Sequence, residues 1–188
     1  METDGTLIER SVRGRPDAFV EVVQRHEVAV HRFLARRAGY QAAGDLLGEV
    51  WVRAFAARGG YDPGHADARP WLYGIATNLV GQHRRDEARQ YRISQAAPAE
   101  PEVPGHAERV AADVTAQAMR PLLDAVLAAL PAGDRDVLLL IAWEQLTPAE
   151  AAVALGIPQG TVRSRLHRAR TALRPVLARD PQSAEEKK

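Results

Sequence analysis

Residues 160–170 read Gly-Thr-Val-Arg-Ser-Arg-Leu-His-Arg-Ala-Arg, and this stretch decides the fold of the C-terminal half. Val162, Leu166 and Leu173 recur at helical spacing, which places them on one side of a helix predicted over about 159–177. The helix also carries a series of arginines and no acidic residue. The sequence therefore predicts an amphipathic helix whose exposed side is strongly basic.

A shorter helix is predicted immediately before the basic one, over about 148–155. Gly156 follows it and tolerates the left-handed backbone of a tight turn. A helix, a glycine turn and a second helix make a helix-turn-helix, which places its second helix in the major groove of DNA. A cationic helix alone is more often a solvated surface, but the preceding turn favours DNA binding.

The composition of the 188-residue chain favours helices over strands. Hydrophobic residues make up 46%, as in ordinary folded proteins, while aromatic residues make up only 5%. The formal net charge of +1 gives no overall attraction to nucleic acid, so DNA binding must depend on local clusters of charge. The chain has no cysteine, which excludes disulfides, thiolate metal sites and thiol nucleophiles.

Apolar periodicity predicts further helices in two groups, separated by a segment rich in Ala, Pro and Glu. In the first group, helices are predicted at about 16–38, at 39–58 and at 68–90, with a Gly- and Pro-containing loop at 59–64. In the second group, helices are predicted at 122–130 and around 137–141, ahead of the two already described. We predict an all-α protein of two small helical domains, 1–94 and 121–180, joined by a flexible linker at 95–120 and followed by a polar tail at 181–188.

The C-terminal pattern closely resembles domain four of bacterial sigma factors. The resemblance is carried by Leu130-Pro131, Leu146-Thr147, Leu155-Gly156-Ile157 and the run 160–170. Response regulators have a similar helix-turn-helix, but the ending Ser-Arg-Leu-His-Arg-Ala-Arg is much more like a sigma factor. The resemblance implies binding of the minus-35 promoter element. By position it assigns base and backbone contacts to Arg163, Ser164, His167 and Arg168, with Thr161 and Arg165 supporting phosphate binding or helix capping.

Residues 43–55, Ala-Gly-Asp-Leu-Leu-Gly-Glu-Val-Trp-Val-Arg-Ala-Phe, resemble the sigma segment that docks on the polymerase β′ clamp helices. The resemblance implies core-polymerase binding by Asp45, Leu46, Glu49 and Arg53. The three charged residues are spaced four apart, so they share one face of a helix, which without the resemblance would be only a solvated surface. Gly48 stands where the family usually has glutamine, a difference that weakens the helix.

Residues 70–80 and 83–85 resemble the sigma segments that melt and read the minus-10 element. The resemblance implies a base contact for Asn78 and backbone contacts for Arg84 and Arg85. Trp71 is interpreted as a core residue in preference to a stacking platform. Gln82 stands where the family commonly has aspartate, and this difference affects the local hydrogen bonds.

The chain is identified by these motifs as a member of the extracytoplasmic-function group of sigma factors, because the middle domain of larger sigma factors has no counterpart. The implied partners are core RNA polymerase, through its β′ clamp helices and β flap, promoter DNA and an anti-sigma factor. Neither a cofactor nor a metal is implied, and no enzyme motif is present. The first residues lack signal-peptide features and no apolar run could span a bilayer, so we expect a cytoplasmic protein without direct membrane insertion.

Two other functions remain open at this stage. The chain could be a dimeric helix-turn-helix regulator that does not engage core polymerase as a sigma subunit, in which case its N-terminal half would hold a dimer interface or a ligand pocket. It could also be a helical RNA-binding protein, which would prefer single-stranded RNA to fork-junction DNA. Binding to core polymerase separates a sigma factor from both.

Overall fold

The computed structural model of the chain describes residues 2–95 and 114–177, with side chains placed over 2–93 and 122–177. Within these ranges the chain forms helices and no strand, which confirms the predicted all-α fold. The helices are α1 (Asp4–Val12), α2 (Ala18–Ala38), α3 (Tyr40–Ala57), α4 (Arg69–Gln95), α5 (Val114–Ala129), α6 (Ala132–Ala142), α7 (Pro148–Leu155) and α8 (Gln159–Leu177), with a 3-10 turn at Arg58–Gly60.

The helices group into two compact units. One unit is built from α1 to α4 together with α7, and the other from α5, α6 and α8. The sequence prediction instead placed α7 with the helices that surround it in the chain. Across the part of the chain that the structure describes, no helix combines the length and the apolar character needed to cross a bilayer.

The first unit has its core between α2, α3 and α4, as the apolar spacing predicted. Val22 and Phe33 of α2, Val50 of α3 and Leu72 and Leu79 of α4 are almost completely buried. Each helix thus turns one apolar stripe inward, and this burial supplies the main driving force for the unit. The charged residues of α3 and α4 remain on the outer faces.

Helix α1 was not predicted from the sequence. Its N-cap is Thr3, whose hydroxyl accepts a hydrogen bond from the Thr6 amide, and its Leu7 and Ile8 are buried against the first unit. The available signal was a short one: a capping threonine followed by two adjacent apolar residues. At nine residues, the helix depends on this packing for its stability.

The buried carboxylate of Asp4 fixes α1 to the loop that leads into α4. Its oxygens accept hydrogen bonds from the Ala68 amide (2.9 Å), from Arg25 (2.8 Å) and from His26 Nε2 (2.6 Å). Asp67 lies nearby, but its own carboxylate is paired with Arg69. The cluster is therefore satisfied by hydrogen bonds and ion pairs within the protein.

The same carboxylate makes stability sensitive to acid. Burial raises the pKa of Asp4, but the hydrogen bonds from Ala68, His26 and Arg25 outweigh it, and the pKa lies below its usual 3.8. A lowered folded-state pKa contributes stability that is complete above the unfolded-state value and is lost as the pH falls through the folded one. Asp4 should thus stabilise the fold fully above a pH of about 4, and this stabilisation should fall progressively as the pH drops below that value.

We expect Asp4→Asn to be less stable than the natural protein at pH 7 and to lose less further stability on acidification to pH 3, because the variant no longer has this carboxylate to protonate. Urea unfolding at pH 7, 5 and 3 measures both effects. Asp17→Asn is the matched control, since Asp17 pairs with Arg15 at the surface, where ion pairs contribute little. Equal acid sensitivity in Asp4→Asn and the natural protein would contradict this role.

The second unit is organised by α8. Helix α8 packs along α6 and also contacts α5, and its Val162, Leu166 and Leu173 are buried as predicted. Helix α5 begins at Val114, inside the segment predicted as linker. It ends at Ala129, and Leu130 and Pro131 then lead into α6. The remainder of the predicted linker up to residue 113 and the predicted tail lie outside the described residues.

The turn between α7 and α8 has the predicted glycine geometry. Gly156 has φ of +62°, in the left-handed region. Its amide donates to the Val153 carbonyl (3.3 Å), and the Ile157 amide donates to the Ala152 carbonyl (3.1 Å). These bonds satisfy carbonyls at the end of α7, and glycine is the residue that adopts this backbone without steric cost.

Two glycines at the start and middle of α3 give opposite stability predictions. Gly39 joins α2 directly to α3 with φ of +85° and ψ of 160°, a backbone that is almost exclusive to glycine. Gly48 is exposed inside α3, with open space where a Cβ would lie. We expect Gly48→Ala to raise the free energy of unfolding by about 0.5–1 kcal/mol.

Gly39→Ala should instead lower the free energy of unfolding by about 1–3 kcal/mol, because alanine is strained in that conformation. Urea or thermal unfolding of the two variants beside the natural protein measures the contrast. A Gly48→Ala variant that is less stable than the natural protein would contradict this prediction and show that the glycine is needed for a reason other than helix propensity.

Candidate nucleic-acid interface

The exposed side of α8 forms a basic ridge. The buried apolar residues occupy the opposite side, so the ridge follows directly from the amphipathic pattern. The ridge is made by Arg163, Ser164, His167, Arg168, Arg170 and Arg174. A helix with this charge and width can enter the major groove of DNA and neutralise phosphates on either side.

Arg168 differs from the other arginines of the ridge because it is held by a buried acid. Its Nε and Nη2 donate to the two carboxylate oxygens of Asp134 on α6, each at 2.8 Å. Asp134 is 5% exposed at its side chain, whereas Arg168 is 58% exposed. The hydrogen bond from Arg168 lowers the pKa of Asp134, so the acid stays ionised. The pair fixes α8 to α6 at the level of the ridge.

The remaining predicted residues of α8 have supporting positions. Thr161 is the third residue of the helix, so it lies inside the first turn and does not cap it. The Ser164 hydroxyl donates to the Thr161 carbonyl (3.0 Å) and can exchange this bond for one to DNA. Arg165 is half-buried and lies over Gly133, where an added Cβ would come within 2.5 Å of its Nη1. Gly133 thus makes room for the Arg165 guanidinium.

The charged residues of α3 lie on one exposed face of the first unit. Asp45 and Glu49 are exposed, and Glu49 forms an ion pair with Arg53. Leu46, in contrast, is 7% exposed and packs in the core of the unit. Val52 interrupts the charged face as an apolar side chain that is 69% exposed.

A hydrogen bond joins this face to α4. Arg53 Nη2 donates to the Oε1 of Gln82 at 3.1 Å. Gln82 is the position where the sequence departs from the common aspartate, and its amide oxygen still supplies an acceptor for the arginine. The glutamine at this position therefore connects α4 to an arginine of α3 through a neutral acceptor.

The predicted residues of α4 differ in their exposure and in their contacts within the protein. Asn78 and Arg85 are exposed. Arg84 donates through Nη2 to the Arg37 carbonyl at 2.7 Å and so satisfies an acceptor at the end of α2. Trp71 is half-buried, with its ring edge-to-face against Tyr61 at 5.0 Å between centroids. Trp71 is therefore only partly a core residue.

Two side-chain partners in these surfaces were missed by sequence reasoning. Asp134 binds Arg168 across 34 positions of sequence, and Gln82 binds Arg53 across 29. Helical spacing relates residues three or four apart, so it contains no signal for such pairs. The structure brings Asp45, Glu49 and Arg53 together on α3, and Arg163, Ser164, His167 and Arg168 together on α8.

Comparison with protein families assigns both halves of the chain. Residues 22–90 match Sigma-70 region 2, and residues 120–173 match Sigma-70, region 4. The first match contains the α3 and α4 residues described above. The second contains the whole basic ridge except Arg174.

Curated relatives agree with these families. The ECF RNA polymerase sigma factor SigE of Mycolicibacterium smegmatis is 36% identical over 168 residues, which are 85% of this chain and 61% of SigE. The ECF RNA polymerase sigma factor SigC of Mycobacterium tuberculosis is 33% identical over 84% of this chain and 80% of its own length. The RNA polymerase sigma factor CarQ of Myxococcus xanthus is 33% identical over 90% and 95%.

Solved structures share the fold. CnrH, in complex with the cytosolic domain of CnrY, has a TM-score of 0.63 and 26% identity, covering 94% of this chain and 98% of CnrH. RpoE of Bartonella quintana, in complex with the anti-sigma factor NepR, has a TM-score of 0.62 and 24% identity, covering 86% and 98%. With both sigma-70 regions in order and relatives matched along most of their length, the chain belongs to the extracytoplasmic-function sigma factors of the sigma-70 family.

Proposed function

We propose that this sigma factor divides its work between two surfaces. The outer faces of α3 and α4 bind core RNA polymerase and the minus-10 element, while the ridge of α8 binds the minus-35 element. The observation that carries the proposal is the segregation of charge on α8, whose buried side is apolar and whose exposed side is basic. The role is non-catalytic, since choosing and opening a promoter breaks no covalent bond.

Docking on polymerase is supported by the mixed character of the α3 face. Asp45 and Glu49 offer charge, and Val52 lies one turn beyond Glu49 as an exposed apolar side chain. An apolar residue within a charged rim is typical of a protein interface and suits the β′ clamp helices of the polymerase. Leu46 contributes indirectly, because its burial holds α3 in place.

Reading and melting of the minus-10 element are assigned to α4. The exposed Asn78 offers both a donor and acceptors to an unstacked base. Arg85 is exposed and can bind the DNA backbone, and Arg84 lies beside it while also supporting the end of α2. A protein favours melting when it binds flipped bases well enough to offset a few kcal/mol of unstacking.

Recognition of the minus-35 element is assigned to Arg163, Ser164, His167 and Arg168, with Thr161 and Arg165 shaping the start of the helix. An arginine that donates two hydrogen bonds to guanine discriminates against other bases by about 1–3 kcal/mol. Other arginines of the ridge replace counterions at phosphates, which makes binding salt-dependent.

We also propose an anti-sigma partner, as the resemblance to this group implies. Such a partner would inhibit by covering the α3 face, the α8 ridge or both, because these surfaces carry the proposed contacts. Binding of a candidate partner that leaves core binding and promoter binding intact would contradict this part of the proposal.

The function is tested by transcription in vitro with the purified protein and sigma-free core polymerase on genomic DNA fragments. New start sites that depend on this protein and share two spaced upstream elements are expected. A polymerase that is active with another sigma factor, but neither binds this protein nor starts at new sites with it, would favour a dimeric helix-turn-helix regulator.

The division of labour is tested with Arg163→Ala, which should weaken binding to the minus-35 element by roughly 5- to 150-fold while leaving core binding unchanged. Arg174→Ala is the charge-matched comparison: it removes the same charge about 16 Å further along the helix, where only phosphate binding is proposed, so its effect should be smaller and should not depend on DNA sequence. Binding is measured by fluorescence anisotropy with duplex DNA and, separately, with core polymerase. Equal losses of core and DNA binding by Arg163→Ala would overturn the assignment.

A further inference from the structure

We propose that Asp134 is a positioning residue for promoter recognition: it orients the Arg168 guanidinium so that its remaining edge donates to guanine in the upstream element. The inference rests on the proposed function of α8 and adds a residue of α6 to it. Asp134 itself does not touch DNA in this arrangement.

The hydrogen-bond geometry leaves one edge of the guanidinium available. Asp134 accepts from Nε and Nη2, which are the two donors of the side edge. A guanidinium has five N–H groups, so two on Nη1 and one on Nη2 remain. The end edge between Nη1 and Nη2 therefore keeps two parallel N–H groups, the same pattern that pairs with O6 and N7 of guanine.

The burial of the two partners gives this edge a direction. The Asp134 side chain is almost completely buried, whereas more than half of the Arg168 side chain is exposed. Arg168 lies one helical turn from Ser164, and both belong to the exposed ridge. The acid thus lies on the buried side of the pair, and the exposed part of Arg168 belongs to the ridge that is proposed to face DNA.

Orientation by Asp134 reduces the side-chain entropy that Arg168 loses when it binds DNA. A free arginine loses much rotamer freedom when it forms a two-bond contact, and a guanidinium already held by a carboxylate has less to lose. The carboxylate also stays ionised in this pair, which maintains the orientation across neutral pH. Arg168 is thus preorganised to recognise one base pair.

Two other roles of the pair predict different results. If Asp134 withheld Arg168 from DNA, its removal would strengthen binding to the promoter. If the pair only stabilised the fold, its removal would weaken specific and non-specific binding equally. Simple electrostatics also favours tighter binding once an acid near DNA is removed, so a selective loss of specific binding is a demanding expectation.

The experiment uses polymerase holoenzyme and a duplex that carries the upstream element mapped in the transcription assay. Asp134→Asn keeps the size of the side chain but replaces one acceptor with a donor, which breaks the two-bond pair. We expect about 5- to 30-fold weaker binding to the element, unchanged binding to a scrambled duplex, and no further loss when Arg168→Ala is added. Asp124→Asn on α5 is the charge-matched control, because Asp124 is an exposed acid of the same unit.

Single base-pair substitutions of the element provide the decisive measurement. The natural protein should discriminate strongly at one G·C pair, and both Asp134→Asn and Arg168→Ala should lose discrimination at that same pair. If Asp134→Asn does not fold at the assay temperature, Asp134→Ser replaces it, since serine is smaller and cannot accept two parallel bonds from Nε and Nη2 while Arg168 stays unchanged. The same loss at the same pair is expected.

Tighter binding by Asp134→Asn, an unchanged affinity, or equal losses on specific and scrambled DNA would overturn the inference. These outcomes differ from failure of the proposed function, in which the natural protein itself would direct no new starts and show no upstream element. A mapped element that Asp134→Asn still reads normally therefore contradicts only the role of Asp134.

Discussion

Burial of one apolar stripe per helix is the constraint on which both units depend. Helices of this length are marginal on their own in water, so each must pack its stripe against a neighbour. In α8 this fixes Val162 and Leu166 inward and leaves the arginines outside. In α3 it places Leu46 and Val50 inward and leaves the charged face outside. The surfaces proposed to bind polymerase and DNA are thus formed by the residues of each helix that packing of the core leaves exposed.

The sequence predicted the parts of this fold that repeat regularly. Helices α2, α3, α4 and α8 have long apolar stripes, and their buried residues were largely identified from spacing. Helix α1 was missed because it is short and its capping threonine is followed by only two large apolar residues. The start of α5 was missed because a composition rich in small residues resembles a linker as much as it does a helix.

The site residues were predictable as positions but not as a bonded network. Spacing placed Arg163 and Arg168 on one exposed ridge, yet only the structure distinguishes an arginine without this partner from one bound to Asp134. Long-range pairs such as Arg53 with Gln82 also leave no periodic trace in the sequence. Buried acids, at positions 4 and 134, are the chief organisers that sequence reasoning did not find.

The direct junction of α2 and α3 at Gly39 restricts how this family member can change its length. Each residue of a helix rotates the following ones by about 100°. A one-residue deletion between Gly39 and Asp45 would therefore swing the charged face away from its present direction, while the buried stripe would lose its partner. We infer that the first turns of α3 accept substitutions far better than insertions or deletions. The direction of the charged face then depends on the number of residues in these turns as much as on their identity.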